Sequence, residues 1–178
     1  MGDSLTAGFG LQEDQSYPSL LQKELTEKGI NAKILNAGVS GNTSAGGVRR
    51  INWYFNRKID VMLLALGAND GLRGLPVKST EENLQKIIDE ARKKNPDIKI
   101  ILAGMKVPPN MGDEYSKGFE ELFPKLAKKN KLPLIPFLLD KVAGNKKLNL
   151  PDGIHPNEEG QKIVAQTVME YLLKALED

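Results

Sequence analysis

Apolar residues recur along this chain in two rhythms. Short apolar runs alternate with longer stretches in which apolar residues return every three or four positions. The first rhythm marks strands and the second marks helices. The run Val61-Met62-Leu63-Leu64-Ala65-Leu66 has no polar interruption, which predicts a central parallel strand buried on both faces. Ala32-Lys33-Ile34-Leu35 and residues 99–103 predict two more strands. Leu134-Ile135-Pro136-Phe137 predicts a short edge strand, because Pro136 has no ladder N–H to donate. The helical stretches lie between them. Residues 16–28 start at a capping Ser16, carry Pro18 in the first turn, align Leu20, Leu21 and Leu25, and stop at Gly29. Residues 44–54 turn Val48 and Ile51 inward. A helix capped by Ser79 or Thr80 runs to about Lys94 on a stripe of Leu84, Ile87, Ile88 and Ala91. Residues 113–129 predict a helix bent or interrupted near Pro124. Asn157 caps the last one, which faces Ile163, Val164, Val168, Tyr171 and Leu172 inward.

Strands alternating with helices across short connections imply right-handed crossovers and a three-layer α/β/α sandwich. The 178 residues fit one domain, 1–178, with no linker or repeat. Ligands of such sheets bind beyond the carboxyl ends of the strands. The charge balance of 25 basic against 23 acidic residues argues against nucleic acid or an anionic membrane as partner. The absence of cysteine excludes thiolate chemistry, disulfides and Cys-ligated metal, and leaves the compartment open. No apolar run reaches the length of a membrane span. No heptad or self-complementary patch is visible, so a monomer or weak oligomer is expected.

Four segments at predicted strand ends carry chemistry. Gly2-Asp3-Ser4-Leu5 offers a serine, and by itself it reads better as a capped turn. Asn36-Ala37-Gly38-Val39-Ser40-Gly41-Asn42-Thr43-Ser44 is a glycine-rich strand-to-helix loop whose Gly41 N–H suits an oxyanion. Gly67-Ala68-Asn69-Asp70-Gly71 follows the most buried strand and presents the Asn69 amide. Asp152-Gly153-Ile154-His155 places a carboxylate three residues before the chain's one histidine. In a compact turn Asp152 accepts from His155 Nδ1–H and leaves Nε2 for a serine hydroxyl. Serine needs such a base, because it is a weak nucleophile at its free pKa.

In this order the four segments resemble the SGNH, or GDSL-type, hydrolase family. The likeness is closest to its bacterial thioesterase/lysophospholipase and arylesterase branch. Gly71-Leu72-Arg73-Gly74, Pro108-Pro109-Asn110 and Pro124-Lys125-Leu126-Ala127 add to it. The resemblance implies a flavodoxin-like sheet of five parallel strands, a shallow open site, no metal or other cofactor, and hydrolysis of small acyl esters and thioesters. It implies Ser4 as nucleophile, His155 as general base and acid, and Asp152 as its orienter. The Ser4 and Gly41 backbone N–H groups and the Asn69 side chain would form the oxyanion hole. Leu72, Val107, Pro108, Met111 and Ile154 would line the acyl side of the cleft. It also points to an extracytoplasmic bacterial location, although the sequence assigns no compartment. The start at Met1 reads as trimmed, which leaves room for an export signal before it. In the family a first strand ends at the serine, so several apolar residues upstream of Gly2 are expected. Two alternatives stay open on the same scaffold: a carbohydrate acetylesterase, and a non-catalytic ligand-binding domain. Gly8-Phe9-Gly10 supplies only part of a dinucleotide-binding fingerprint, since position 13 is Glu.

Overall fold

In the computed structural model, which describes residues 1–177, ten elements follow one another. They are α1 (Ser4–Ala7), α2 (Tyr17–Glu27), α3 (Ser44–Tyr54), β1 (Val61–Leu64), α4 (Ala68–Leu72), α5 (Val77–Lys94), β2 (Lys99–Ala103), α6 (Asp113–Asn130), β3 (Leu134–Ile135) and α7 (Glu158–Glu177). The strands form a parallel sheet in the order β1-β2-β3. Val61 pairs with Lys99 and Leu64 with Leu102, and Leu102 pairs in turn with Leu134. Helices α2 and α7 pack together on the sheet, while α3, α5 and α6 pack in succession as the other layer. Leu64, Leu66, Leu102 and the α5 stripe of Leu84, Ile87, Ile88 and Ala91 are fully buried between the layers. Among the described residues no helix is long and apolar enough to cross a membrane.

Several expectations need correction. Five strands were expected of the family, with the first missing from this sequence; among the described residues three form, and Gly2 makes isolated parallel bridges to Gly38 and Ala65 beside them. The predicted strand at residues 32–35 does not form. A strand is held by its neighbours' ladders, and among the described residues the bridges near this segment are those of Gly2, parallel to Gly38 and to Ala65, with none at 32–35. Gln22 of α2 takes up part of the slack: its Oε1 accepts from Ile34 N–H at 2.7 Å and its Nε2 donates to Ala32 C=O at 3.0 Å. Helix α5 begins at Val77, ahead of both Ser79 and Thr80, with Pro76 as its N-cap residue. The buried Thr80 hydroxyl instead reaches Asp70 Oδ1. Helix α6 runs unbroken through Pro124. A proline in a helix interior costs about 3 kcal/mol. Phe119, Leu122, Phe123 and Leu126 are all buried on that helix, and burying each such side chain returns about 1.5–3 kcal/mol, so packing outweighs the break. β3 stops at Ile135, one residue before Pro136.

Candidate active site

The candidate site begins with a four-residue helix. Asp3 is its N-cap: Oδ1 accepts from Leu5 N–H at 3.0 Å, and Gly8 ends the helix in a left-handed conformation. Ser4 is thus the first residue of α1, at its positive end. The helix sits against Gly38, where an added Cβ would come within 2.2 Å of Ala7 N. Only glycine allows that approach. Arg50 fastens the same corner from below. It is buried and donates to Gly2 C=O at 2.6 Å, to Ala37 C=O at 2.8 Å and to Asn42 Oδ1 at 2.9 Å.

His155 arrives on the loop before α7. That loop is shaped by a bond from Leu150 N–H to His155 C=O at 2.7 Å and by Asn157, whose Oδ1 accepts from Gly160 N–H and caps α7. Asp152 Oδ1 accepts the backbone N–H groups of Ile154 and His155, each at 3.0 Å. Its Oδ2 lies 2.8 Å from His155 Nδ1. His155 Nε2 lies 2.9 Å from Ser4 Oγ. The Ile154 N–H foremost, with bonds from His155, holds the Asp152 pKa down to about 2. An ionised Asp152 only accepts, so His155 Nδ1 carries the proton and Nε2 is left as acceptor for the serine hydroxyl.

The other two loops face the same point. Gly41 has φ 74°, a conformation that favours glycine. Among the described residues neither Ser4 N–H nor Gly41 N–H donates to a protein acceptor. Asn69 is the second residue of α4, and its Nδ2 donates to Asn42 C=O at 3.1 Å and to Asp3 Oδ2 at 3.3 Å. The two loops are joined underneath. Buried Asp70 accepts from Ser44 N–H at 2.8 Å and from the Ser44 hydroxyl. Above them Arg73 donates to Gly41 C=O at 2.9 Å.

Sequence reasoning assigned no role to three residues of this corner: Asp3, Arg50 and Phe9. The Phe9 ring lies 4.5 Å from the His155 imidazole, tilted by 35°. Its only local signal was the pair of flanking glycines, which read better as a fragment of another motif. Among the described residues, the large exposed apolar side chains include Phe9, Val39, Leu72 and Ile154. These four sit on the four segments that carry Ser4, Gly41, Asn69 and His155. Of the expected acyl-side residues, Leu72 and Ile154 are exposed. Val107 and Met111 pack on the stretch after Asn69: a Cβ added at Gly71 would meet Val107 at 2.4 Å, and one at Gly74 would lie 3.7 Å from Met111. Pro108 is half-buried and leads into the turn Pro109–Met111.

Asp3 is fully buried, and burial raises its pKa to about 6 against the pull of Leu5 N–H and Asn69. The folded value lies above the unfolded one of about 3.9, so the native state holds an extra proton between them. Stability falls as pH rises through this window, by on the order of 2–3 kcal/mol in all. Asp3→Asn keeps the cap and removes the buried charge. Urea unfolding is expected to show the variant more stable at pH 8 by up to that amount, with the gain gone at pH 4. Ester turnover is expected to drop about tenfold, because Asn69 loses an acceptor that aims it, a loss of about 1.4 kcal/mol.

Residues 1–163 match the model of the GDSL-like Lipase/Acylhydrolase family. The chain belongs to this family. As an acylhydrolase of the GDSL type it is a carboxylic ester hydrolase. It is 37% identical to the arylesterase of Vibrio mimicus over 177 residues, covering 99% of this chain and 88% of the relative. It is 33% identical to the thioesterase 1/protease 1/lysophospholipase L1 of Escherichia coli K12, covering 97% of this chain and 81% of the relative. The crystal structure of the psychrotrophic esterase EstA from Pseudoalteromonas sp., inhibited by monoethylphosphonate, superposes with a TM-score of 0.93 at 31% identity, covering 100% of this chain and 97% of that one. The flanked parallel sheet of this acylhydrolase is the fold of that esterase.

Proposed function

We propose that this acylhydrolase cleaves carboxylic ester and thioester bonds of small acyl substrates through an acyl-enzyme on Ser4. One observation carries the reading: an unbroken relay from Asp152 through His155 to Ser4, with links of 2.8 and 2.9 Å. His155 Nε2 takes the Ser4 proton as Oγ attacks the carbonyl carbon. Negative charge moves to the carbonyl oxygen, where the Ser4 N–H, the Gly41 N–H and the Asn69 amide receive it. Asp152 holds the imidazolium that forms and keeps its tautomer. His155 then protonates the leaving alcohol or thiol. Water, activated by the same imidazole, attacks the acyl-enzyme and frees the acid and Ser4.

The apolar rim of Phe9, Val39, Leu72 and Ile154 favours an acyl chain over a sugar, whose hydroxyls would find few partners there. Val107, Pro108 and Met111 extend that rim past Leu72 and select acyl length. The protein works as one domain, 1–178, and as a monomer or weak oligomer. A fluorophosphonate probe is expected to label the folded protein at Ser4 and to leave Ser4→Ala unlabelled. A chain-length series of p-nitrophenyl esters and acyl thioesters is expected to show turnover of both classes. Labelling that survives Ser4→Ala, or turnover of acetylated sugars alone, counts against this assignment.

A further inference from the structure

The chain turns at residues 8–11, just past Ser4, and the turn is pinned on both sides. Phe9 N–H donates to Ser4 C=O at 3.1 Å, and Leu11 N–H donates to Gly8 C=O at 3.0 Å. Gly8 lies against Ser16, where an added Cβ would come within 2.7 Å of the Ser16 Cβ. Gly10 lies against the loop that carries His155, where an added Cβ would come within 2.7 Å of Leu150 Cδ1. Both glycines are left-handed, with φ 77° and 78°. Phe9 is fixed between them. Its ring lies 4.5 Å from the His155 imidazole, yet the residue is 47% exposed. An aromatic ring held beside the base and half uncovered offers an apolar face to whatever lies next to His155.

The chemistry decides what lies there. In the tetrahedral intermediate four groups surround the former carbonyl carbon. Ser4 Oγ is one. The oxyanion points to the Ser4 N–H, the Gly41 N–H and the Asn69 amide. The leaving oxygen points to His155 Nε2, which hands it the proton taken from Ser4. The acyl chain takes the remaining direction. Val107 and Met111, expected on the acyl side, pack on the stretch after Asn69, a different segment from the one that bears Phe9. The group bonded to the leaving oxygen is therefore the part of the substrate that meets the Phe9 ring.

We propose that Phe9 is the specificity residue for the leaving group and favours esters of aromatic alcohols. The inference rests on the acyl-enzyme reading of Ser4. In the favoured reaction the bond from Ser4 Oγ to the acyl carbon forms, and the bond from that carbon to the phenolic oxygen breaks. The serine proton passes through His155 Nε2 to the phenolic oxygen, and a phenol departs. Offset or edge-to-face contact with the Phe9 ring favours an aryl group over an alkyl group of similar reach. The contact lasts only until the phenol leaves, so it acts on acylation and not on hydrolysis of the acyl-enzyme.

Phenyl butyrate and ethyl butyrate form the same butyryl-enzyme and differ only in the leaving group. The ratio of their kcat/KM values, compared between variant and parent, cancels their intrinsic reactivities and any damage common to both. In Phe9→Ala the phenyl-to-ethyl ratio is expected to fall about tenfold. Phe9→Leu keeps apolar bulk beside the imidazole and is expected to lose about threefold, while Phe9→Tyr keeps the ring and is expected to stay within about twofold of the parent. Hydrolysis of the butyryl-enzyme, read after the burst, is expected to slow much less than acylation by the phenyl ester. Phe9→Leu carries the test if Phe9→Ala does not fold. Two results overturn the proposal. One is a ratio that holds in Phe9→Leu while both esters and butyryl-enzyme hydrolysis slow alike, which makes Phe9 a support for His155 alone. The other is a ratio that holds while the loss among phenyl esters grows with acyl length, which puts Phe9 on the acyl side. A parent protein that turns over neither ester fails the acyl-enzyme reading and this inference with it; a constant ratio in variants of an active parent fails this inference alone.

Discussion

Replacing His155 with alanine is expected to lower kcat/KM for a p-nitrophenyl ester by about 10⁴-fold or more. The chain has no second histidine to take over the proton. Asp152 cannot substitute, because its pKa of about 2 makes it a poor base and its oxygens already accept from Ile154 and His155. Without Nε2 the Ser4 hydroxyl stays protonated, so both attack on the ester and departure of the leaving group slow together. The fold should survive. The bonds that shape this loop use the backbone of His155, and its ring bonds to Asp152 and Ser4 and lies beside Phe9. The measurement pairs steady-state kinetics with fluorophosphonate labelling and a thermal scan. A variant that folds, labels and turns over within tenfold of the parent would remove His155 from the mechanism.

Asn69→Ala should cost about 10²–10³ in kcat with a much smaller change in KM. The asymmetry follows from where the amide is needed. It receives charge that exists only once the tetrahedral centre has formed, so it contributes to the transition state more than to the bound ester. The amide is held near the site by Asn42 C=O and Asp3 Oδ2, and one of these two bonds gives way when its N–H turns to the oxyanion. Asn69→Asp makes the sharper control, since it keeps the shape and puts an anion beside a developing anion. Its turnover is expected to be no better than that of the alanine variant. A loss confined to KM in both variants would place Asn69 in substrate binding alone.

Much of the molecule was legible along the chain because the relevant physics is local. The stripe of Leu84, Ile87, Ile88 and Ala91 follows helical spacing, and the run 61–66 has no polar residue to expose. Asp152 and His155 are three residues apart in a turn, so their contact needed no knowledge of the fold. The start of α5 was misplaced because Thr80 has the chemistry of a cap but is used by Asp70, which is distant in sequence. The break at Pro124 was overestimated because the side chains that hold α6 together pay off only against the sheet and α5. The strand at 32–35 failed for the opposite reason. Its residues suit a strand, but ladder bonds come from neighbours, and among the described residues the nearby pairing is a single bridge between Gly2 and Gly38.

The same division runs through the site. Residue type and order along the chain supplied the serine, the acid, the one histidine and the donor loops, because catalysis restricts which side chains can serve. Tertiary structure decided that Ser4 and His155, 151 residues apart, meet at 2.9 Å. It also decided that Asp3 becomes a buried acid gripping Asn69, and that Phe9 lies on the imidazole. Those outcomes depend on burial and on partners contributed by distant segments, and no local pattern of residues encodes either.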